Sequence, residues 1–234
     1  MKKILLSFGA LAAVVVAMPM FAAFEAHVVN VTATIENALQ VTANNLAFGT
    51  VFPQEGFDKT FDVLLSQSFA AEPSVTGVTY TIRQKPKCID TAGNHPLVTE
   101  DAQGNFQCPA GSTMMPLLCP YLSKHETAGN IEQSVGINSF HGLPGPWTAS
   151  TTLATAVFGS LTKVTNPQDT WTIDLHVPCF TGSCAQDWAA YVKSQNPDAD
   201  PNAYMADPKL EHSQFGCDLW LETTGIGTTT PVAG

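Results

Sequence analysis

From residue 170 to residue 177 the chain reads Thr-Trp-Thr-Ile-Asp-Leu-His-Val, alternating polar and apolar without a slip. Side chains along a strand point to opposite faces with period two, so Trp171, Ile173, Leu175 and Val177 enter a core while Thr172, Asp174 and His176 meet water. Related stretches predict strands at 26–36, 39–42, 46–52, 59–69, 75–84, 151–164, 170–177 and 215–224, rich in Val, Ile, Thr, Phe and Trp and separated by Asn, Gly and Pro turns. Eight short strands of this kind predict an all-β fold, an antiparallel β-sandwich of jelly-roll or immunoglobulin-like type. One short helix is expected. Ser183 and Gln186 match a capping box, Ala185, Trp188, Ala189 and Val192 then share a face, and Asn196-Pro197 stops the turn. That helix is expected to lie over the sandwich with Trp188 as its anchor.

Between residues 85 and 148 the alternation dissolves into Pro, Gly, Asn and three cysteines. A stretch so long is no ordinary connection in a compact domain, so it reads as a Cys-rich loop insertion stapled to the surface. Its segment at 141–147, His-Gly-Leu-Pro-Gly-Pro-Trp, is turn chemistry, fixed by proline and packed by Trp147.

The N-terminus adds a location. Lys2 and Lys3 precede an apolar run to Met18, followed by Pro19 and the small pair Ala22-Ala23, which is the layout of a secretory signal at 1–22. The run is short for a transmembrane span. Residues 23–234 are then expected to form a single β-sandwich domain, secreted to the extracellular space or the cell surface. Twenty acidic residues face ten basic ones, and the leader carries two of the lysines and no acid, so the mature chain has a formal charge near −12. Such a surface repels phosphates, which argues against nucleic-acid partners and against anionic membranes once the leader is removed.

Six cysteines, Cys88, Cys108, Cys119, Cys179, Cys184 and Cys217, form an even set on an exported chain, and three disulfides are expected. Fifteen pairings are open. The spacing favours Cys179 with Cys184 across Thr181-Gly182-Ser183 and Cys88 with Cys108 across a polar loop, which leaves Cys119 for Cys217. A zinc site would want a Cys-x-x-Cys pair, and the chain has none.

The sequence offers no catalytic motif. The six histidines, His27, His95, His125, His141, His176 and His212, are scattered, and His125-Glu126 is followed by Gly129 where a helical zinc site needs its second histidine. There is no Gly-x-Ser-x-Gly elbow, phosphate loop or dinucleotide fingerprint. No catalytic residue and no cofactor-binding residue is assigned. The one metal hint is Asp198-x-Asp200-x-Asn202, which opens like a calcium loop but has Ala203 where the turn wants Gly and Lys209 where a bidentate Glu completes the shell. It reads first as a solvated turn, with calcium the only cofactor the pattern allows. Trp220, between Asp218 and Glu222, and Trp147 are the aromatic surfaces that a carbohydrate-binding module would use. Asn30-Val31-Thr32 is a glycosylation sequon.

Three stretches carry a family likeness: Phe24-Glu25-Ala26-His27-Val28-Val29-Asn30-Val31-Thr32-Ala33-Thr34-Ile35-Glu36, then Leu46-Ala47-Phe48-Gly49-Thr50-Val51-Phe52-Pro53-Gln54-Glu55, then Phe61-Asp62-Val63-Leu64-Leu65-Ser66. Together with the apolar leader they resemble the start of the TasA/camelysin family of exported matrix proteins. The likeness covers 24–85. The chain departs from the family in lacking Phe-Ser-Asp after the leader and in carrying the cysteine-bearing half.

The resemblance implies a jelly-roll subunit of a biofilm-type extracellular fibre, with the mature N-terminal segment added as a strand to the next subunit. Its donor residues would be Ala26, Val28, Val29, Val31, Ala33 and Ile35. A long, nearly uncharged β-prone segment at a terminus suits that role, and equally suits an ordinary first strand closing its own sheet. The expected function is therefore a non-enzymatic structural protein whose partner is itself, a homopolymer, with other surface or matrix proteins as further partners. The alternatives are a camelysin-like secreted metalloprotease and a carbohydrate-binding module.

Overall fold

The computed structural model describes residues 33–43, 45–129, 136–142 and 147–228, without the side chains of 152 and 153. The chain divides into two units, Met1–Ile35 and Glu36–Gly234. Of the first, only 33–35 are described, and they carry no strand. The expected leader at 1–22, the sequon at Asn30 and the donor positions Ala26, Val28, Val29 and Val31 lie outside the described residues.

The second unit is a two-layered antiparallel sandwich. One sheet orders its strands β1 (Leu39–Val41), β2 (Gly56–Leu65), β10 (Gln168–His176), β8 (His125–Ala128). The other orders β11 (Asp218–Thr228), β3 (Val75–Lys85), β9 (Val157–Thr162). The alternation from 170 to 177 does what its period dictates: Trp171, Ile173, Leu175 and Val177 are buried, and pack with Phe61 and Val63 of β2 against Val78, Tyr80 and Ile82 of β3 and Val157 and Leu161 of β9. Removing each such aliphatic side chain from water contributes about 1.5–3 kcal/mol.

Four of the strand expectations need correction. No strand forms at 46–52; Gly49 takes φ +79°, and Leu46, Phe48 and Val51 lie half-buried as irregular cover on the core. The stretch 59–69 is not one strand. β2 ends at Leu65, and Ser66 accepts a hydrogen bond from the Phe69 amide at 3.1 Å, starting helix α1 (Gln67–Ala71) and turning Phe69 into the core. Residues 151–164 begin as helix α2 (Ala149–Ala154), where Thr148 and Thr151 exchange amide-to-hydroxyl bonds, before β9 begins. The last strand runs 218–228 rather than 215–224.

The later helix, α3 (Trp188–Gln195), starts three residues after the expected Ala185. Ser183 does not cap it but bonds back to the Phe180 carbonyl at 3.0 Å, inside the small ring closed by Cys179 and Cys184. Trp188 and Val192 are buried as expected, whereas Ala185 and Ala189 are exposed. The indole of Trp188 donates to the Pro201 carbonyl and stands edge-on to Phe140, which also meets Tyr191, Tyr204 and Tyr121 with ring centroids 5.5–6.1 Å apart.

The Cys-rich stretch is more than a surface loop. It forms two small hairpins, β4 (Cys88–Asp90) with β7 (Ser112–Met114) and β5 (Thr99–Glu100) with β6 (Phe106–Gln107), over a minor core of Cys88, Val98, Phe106, Cys119 and Trp147. It also supplies β8 to the main sheet. The disulfides are Cys88–Cys108, Cys119–Cys217 and Cys179–Cys184, the pairing that the spacing favours, and the second ties the stretch to the last strand. Because these hairpins cover the outer face of the second sheet, β3 is buried on both faces, with Thr81 and Lys85 as enclosed as Tyr80 and Ile82.

Candidate assembly edges and polar sites

A sandwich exposes the outer side of its last strands, where unpaired N–H and C=O groups can template another chain. Among the described strands, three of the four edges are limited. β1 has three residues. β8 has four, with a register break opposite Thr170 and Trp171, and it carries charge inward. Leu122 pairs with Leu175 and Glu126 with Trp171, so Leu122, Lys124 and Glu126 share the inner face. Lys124 is fully buried; its ammonium donates to the Thr155 carbonyl, and burial pushes its pKa down to about 7. Inward-pointing charges on a short edge oppose strand addition. On β9 two outward groups at its end are engaged by Asn166, whose carbonyl accepts from the Thr162 amide at 2.7 Å and whose side chain donates to the Ser160 carbonyl at 2.9 Å.

The fourth edge is different. β11 runs eleven residues, pairs with β3 along one side with register breaks at Thr223/Gly225 and Gly227/Thr228, and no described strand pairs its other side. Leu219 and Leu221 are half-buried, and Ile226 is 52% exposed. At the other end of the chain, Ala33 and Ile35 of the expected donor segment stand outside any strand, Ile35 with 94% of its surface exposed.

The calcium-loop residues take up capping duties. Asp200 Oδ1 accepts from the Asn202 amide at 3.0 Å and from Asn202 Nδ2 at 3.3 Å, opening the 3-10 turn Pro201–Tyr204, while the Asp198 amide donates to Asn196 Oδ1 at 3.1 Å. Asn202 thus turns its amide nitrogen, not its oxygen, toward Asp200. Among the described residues no three His, Cys, Asp or Glu side chains are placed to hold one metal ion.

Two of the scattered histidines do meet. On the outer face of the first sheet, His125 Nε2 lies 3.9 Å from Asp174 Oδ2, which also accepts from Ser123 Oγ at 2.8 Å, and His176 stands two residues further along β10. Ser139 Oγ lies 2.8 Å from His176 Nδ1. Burial lowers the His176 pKa, opposed by Asp174 and aided by His125. This looks like a serine-histidine-aspartate set, but Ser139 is 1% exposed and cannot meet a substrate, so the hydroxyl orients the ring. No sequence signal could have found the cluster, since its members come from three separate segments.

Both tryptophans of the carbohydrate alternative are engaged within the protein. Trp147 is 6% exposed within the minor core. The Lys85 ammonium sits 3.7 Å over the Trp220 ring and 3.6 Å from both Glu100 and Glu222, and Arg83 pairs with Glu222 at 3.1 Å. A cation over an indole face in a site this enclosed stabilises by about 1–2 kcal/mol. The group fastens the β5–β6 hairpin to the sheet.

Fold and edges together define a disulfide-stapled antiparallel β-sandwich in which one long strand edge, that of β11, has no partner among the described strands. No family model, curated protein or solved structure matches the chain. No helix among the described residues is long and apolar enough to cross a membrane, and the three disulfides are compatible with an extracellular protein.

Proposed function

We propose that the chain is a secreted, non-enzymatic structural subunit of an extracellular matrix or cell-surface fibre, assembling with copies of itself by addition of its N-terminal strand. One observation supports this reading: among the described strands, the long edge of β11 is left without a strand partner while the other three edges are limited by length, inward charge or side-chain bonds. One open edge and one terminal donor strand make a heterologous contact, which propagates as a filament rather than closing as a dimer. The donor residues Ala33 and Ile35, outside any strand, and the near-absence of charge from 26 to 35 support the same reading. The TasA/camelysin resemblance implies this mode of assembly and a biofilm-matrix setting.

The test is to remove residues 24–36 from the mature protein and look for fibres by electron microscopy, with Ile226→Lys on the open edge as a second variant. Filaments in the intact protein, lost in the deletion and shortened in Ile226→Lys, are expected. Unchanged filaments after deletion remove the donor strand, and an intact protein that stays a monodisperse monomer removes assembly altogether.

A further inference from the structure

Residues 181–205 leave the body of the domain and rejoin it at one place. The Thr181 amide donates to the Ala206 carbonyl at 2.9 Å and the Ala206 amide to the Cys179 carbonyl at 2.8 Å, so the stretch between, which carries α3, is a flap on a narrow root. Its inner side, with Trp188, Val192, Ala199 and Tyr204, is buried. One pair of side-chain bonds ties it to the turn before β2: Gln54 Nε2 donates to Asp187 Oδ1 and the Tyr191 hydroxyl to the Glu55 carbonyl, each at 3.2 Å. A second pair ends on either side of His141. Asn196 Nδ2 donates to the Phe140 carbonyl at 3.0 Å, and the Tyr204 hydroxyl donates to the Gly142 carbonyl.

The turn that carries these two carbonyls is built under constraint. Phe140 holds φ +57°, a left-handed conformation that a bulky residue keeps only where its surroundings enforce it. His141 is 8% exposed, and neither ring nitrogen completes a hydrogen bond. Beside it lies the Lys124 ammonium, just ahead of β8, fully buried and donating to the Thr155 carbonyl. A proton on this ring would be cut off from water, would add a second N–H without an acceptor and would face a like charge. Burial, and then Lys124, push the His141 pKa down to about 3, opposed by the Leu122 backbone.

The other ionisable groups around the turn do not relieve that cost. From the flap, Asp198 and Asp200 line the cleft beside His141 but stand exposed, where water screens them, and burial raises the Tyr204 phenol so that it stays neutral. Tyr121, against Phe140 and Tyr204, is pushed up to about 12 by burial and is likewise neutral. Glu126 shares the inner face of β8 with Lys124, and His176 stands half-buried against Phe140, bonded to Ser139; the charge that bears on the His141 ring is that of Lys124. We propose that His141 is an acid-operated latch, whose protonation ejects the turn from its cage and frees the flap at 181–205. Leaving the cage breaks the Asn196 and Tyr204 bonds together, since both end on the backbone of residues flanking the histidine. Out in water the ring regains its ordinary pKa near 6.5, so the open form takes the proton first and opening grows as pH falls from about 6.5 toward 3. The device is independent of the strand-addition edge.

The experiment follows hydrogen exchange of the full mature chain by mass spectrometry at pH 7.5 and 4.5, with each rate corrected for the intrinsic amide rate at that pH. The amides of α3 should open roughly a hundredfold more at the lower pH, while those of β10 stay protected. His141→Phe keeps a ring in the cage without a proton to take, so α3 should stay closed, its opening changing by less than about threefold. Lys124→Met removes the neighbouring charge and should shrink the acid response, and His176→Gln should leave it in place. Lys124→Met decides the matter where His141→Phe does not fold: an undiminished response in it overturns the proposal. So does a flap that ignores acid in the unaltered protein, a full response in His141→Phe, a response lost in His176→Gln, or β10 opening as much as α3.

Discussion

The substitution Tyr80→Phe removes one oxygen from the centre of the sandwich and tests whether a buried polar chain holds the two sheets in register. Tyr80 of β3 donates to Asp169 Oδ2 at 2.7 Å and accepts from the Trp171 indole at 2.8 Å, and Asn166 donates to Asp169 Oδ1 at 2.7 Å. Tyr80, Asp169 and Trp171 are all fully buried. Burial, and then the bond to Asp169, raise the phenol pKa well above its ordinary value, so the hydroxyl stays a donor at every working pH. A hydrogen bond to a carboxylate contributes about 1.5–3 kcal/mol, and leaving a buried indole N–H without its acceptor costs about 1–3 kcal/mol more. The expected loss is therefore about 3–5 kcal/mol. With an m-value of about 2 kcal/mol/M, urea unfolding of the oxidised protein should shift its midpoint down by roughly 2 M, followed by Trp171 fluorescence. A cycle with Asp169→Asn should show coupling above about 1 kcal/mol. A loss under about 1 kcal/mol for Tyr80→Phe, or additivity in the cycle, would refute the reasoning.

Lys124 has a folded-state pKa depressed to about 7 by burial, so between there and its unfolded value the unfolded chain holds the extra proton and stability rises with pH; Lys124→Met should flatten the stability profile between about pH 7 and 10 and raise stability at pH 6, measured by urea midpoints across pH. Cys119–Cys217 spans 98 residues and Cys179–Cys184 only 5, so replacing the first pair by alanine should cost about 4–5 kcal/mol and the second about 2 kcal/mol by loop entropy; equal costs would contradict that ordering. A methyl on Gly159 would stand 2.2 Å from the Tyr80 ring, so Gly159→Ala should unfold or strongly destabilise the sandwich, lowering the thermal midpoint by more than 10 °C on the order expected for overpacking of a core this size; a midpoint unchanged in calorimetry would show that the ring yields.

How far the sequence spoke depends on how local each signal is. Period-two alternation is a property of one segment, so β10 and its inward set were legible at once, as was the all-β class. The cysteine pairs 88–108 and 179–184 close short loops and were legible from spacing, with the third following by elimination. Strand limits were less so, because Ser66 and Thr148 divert the chain into short helices by capping bonds inside stretches whose composition still reads as β.

What the sequence alone determined is therefore the rhythm of the central strands, the sulfur staples and the acidic surface, each set by neighbours along the chain. Tertiary structure decided the rest. β8 hides from pattern reading because Lys124 and Glu126 point into the sandwich, inverting the alternation that marks a strand, and only pairing with β10 some fifty residues away reveals it as an edge. The His125–Asp174 contact, the lysine over Trp220 and the side of β11 that no described strand pairs are settled between segments distant in sequence. Their energies depend on who becomes a neighbour, and burial against a partner layer, not local propensity, makes that choice.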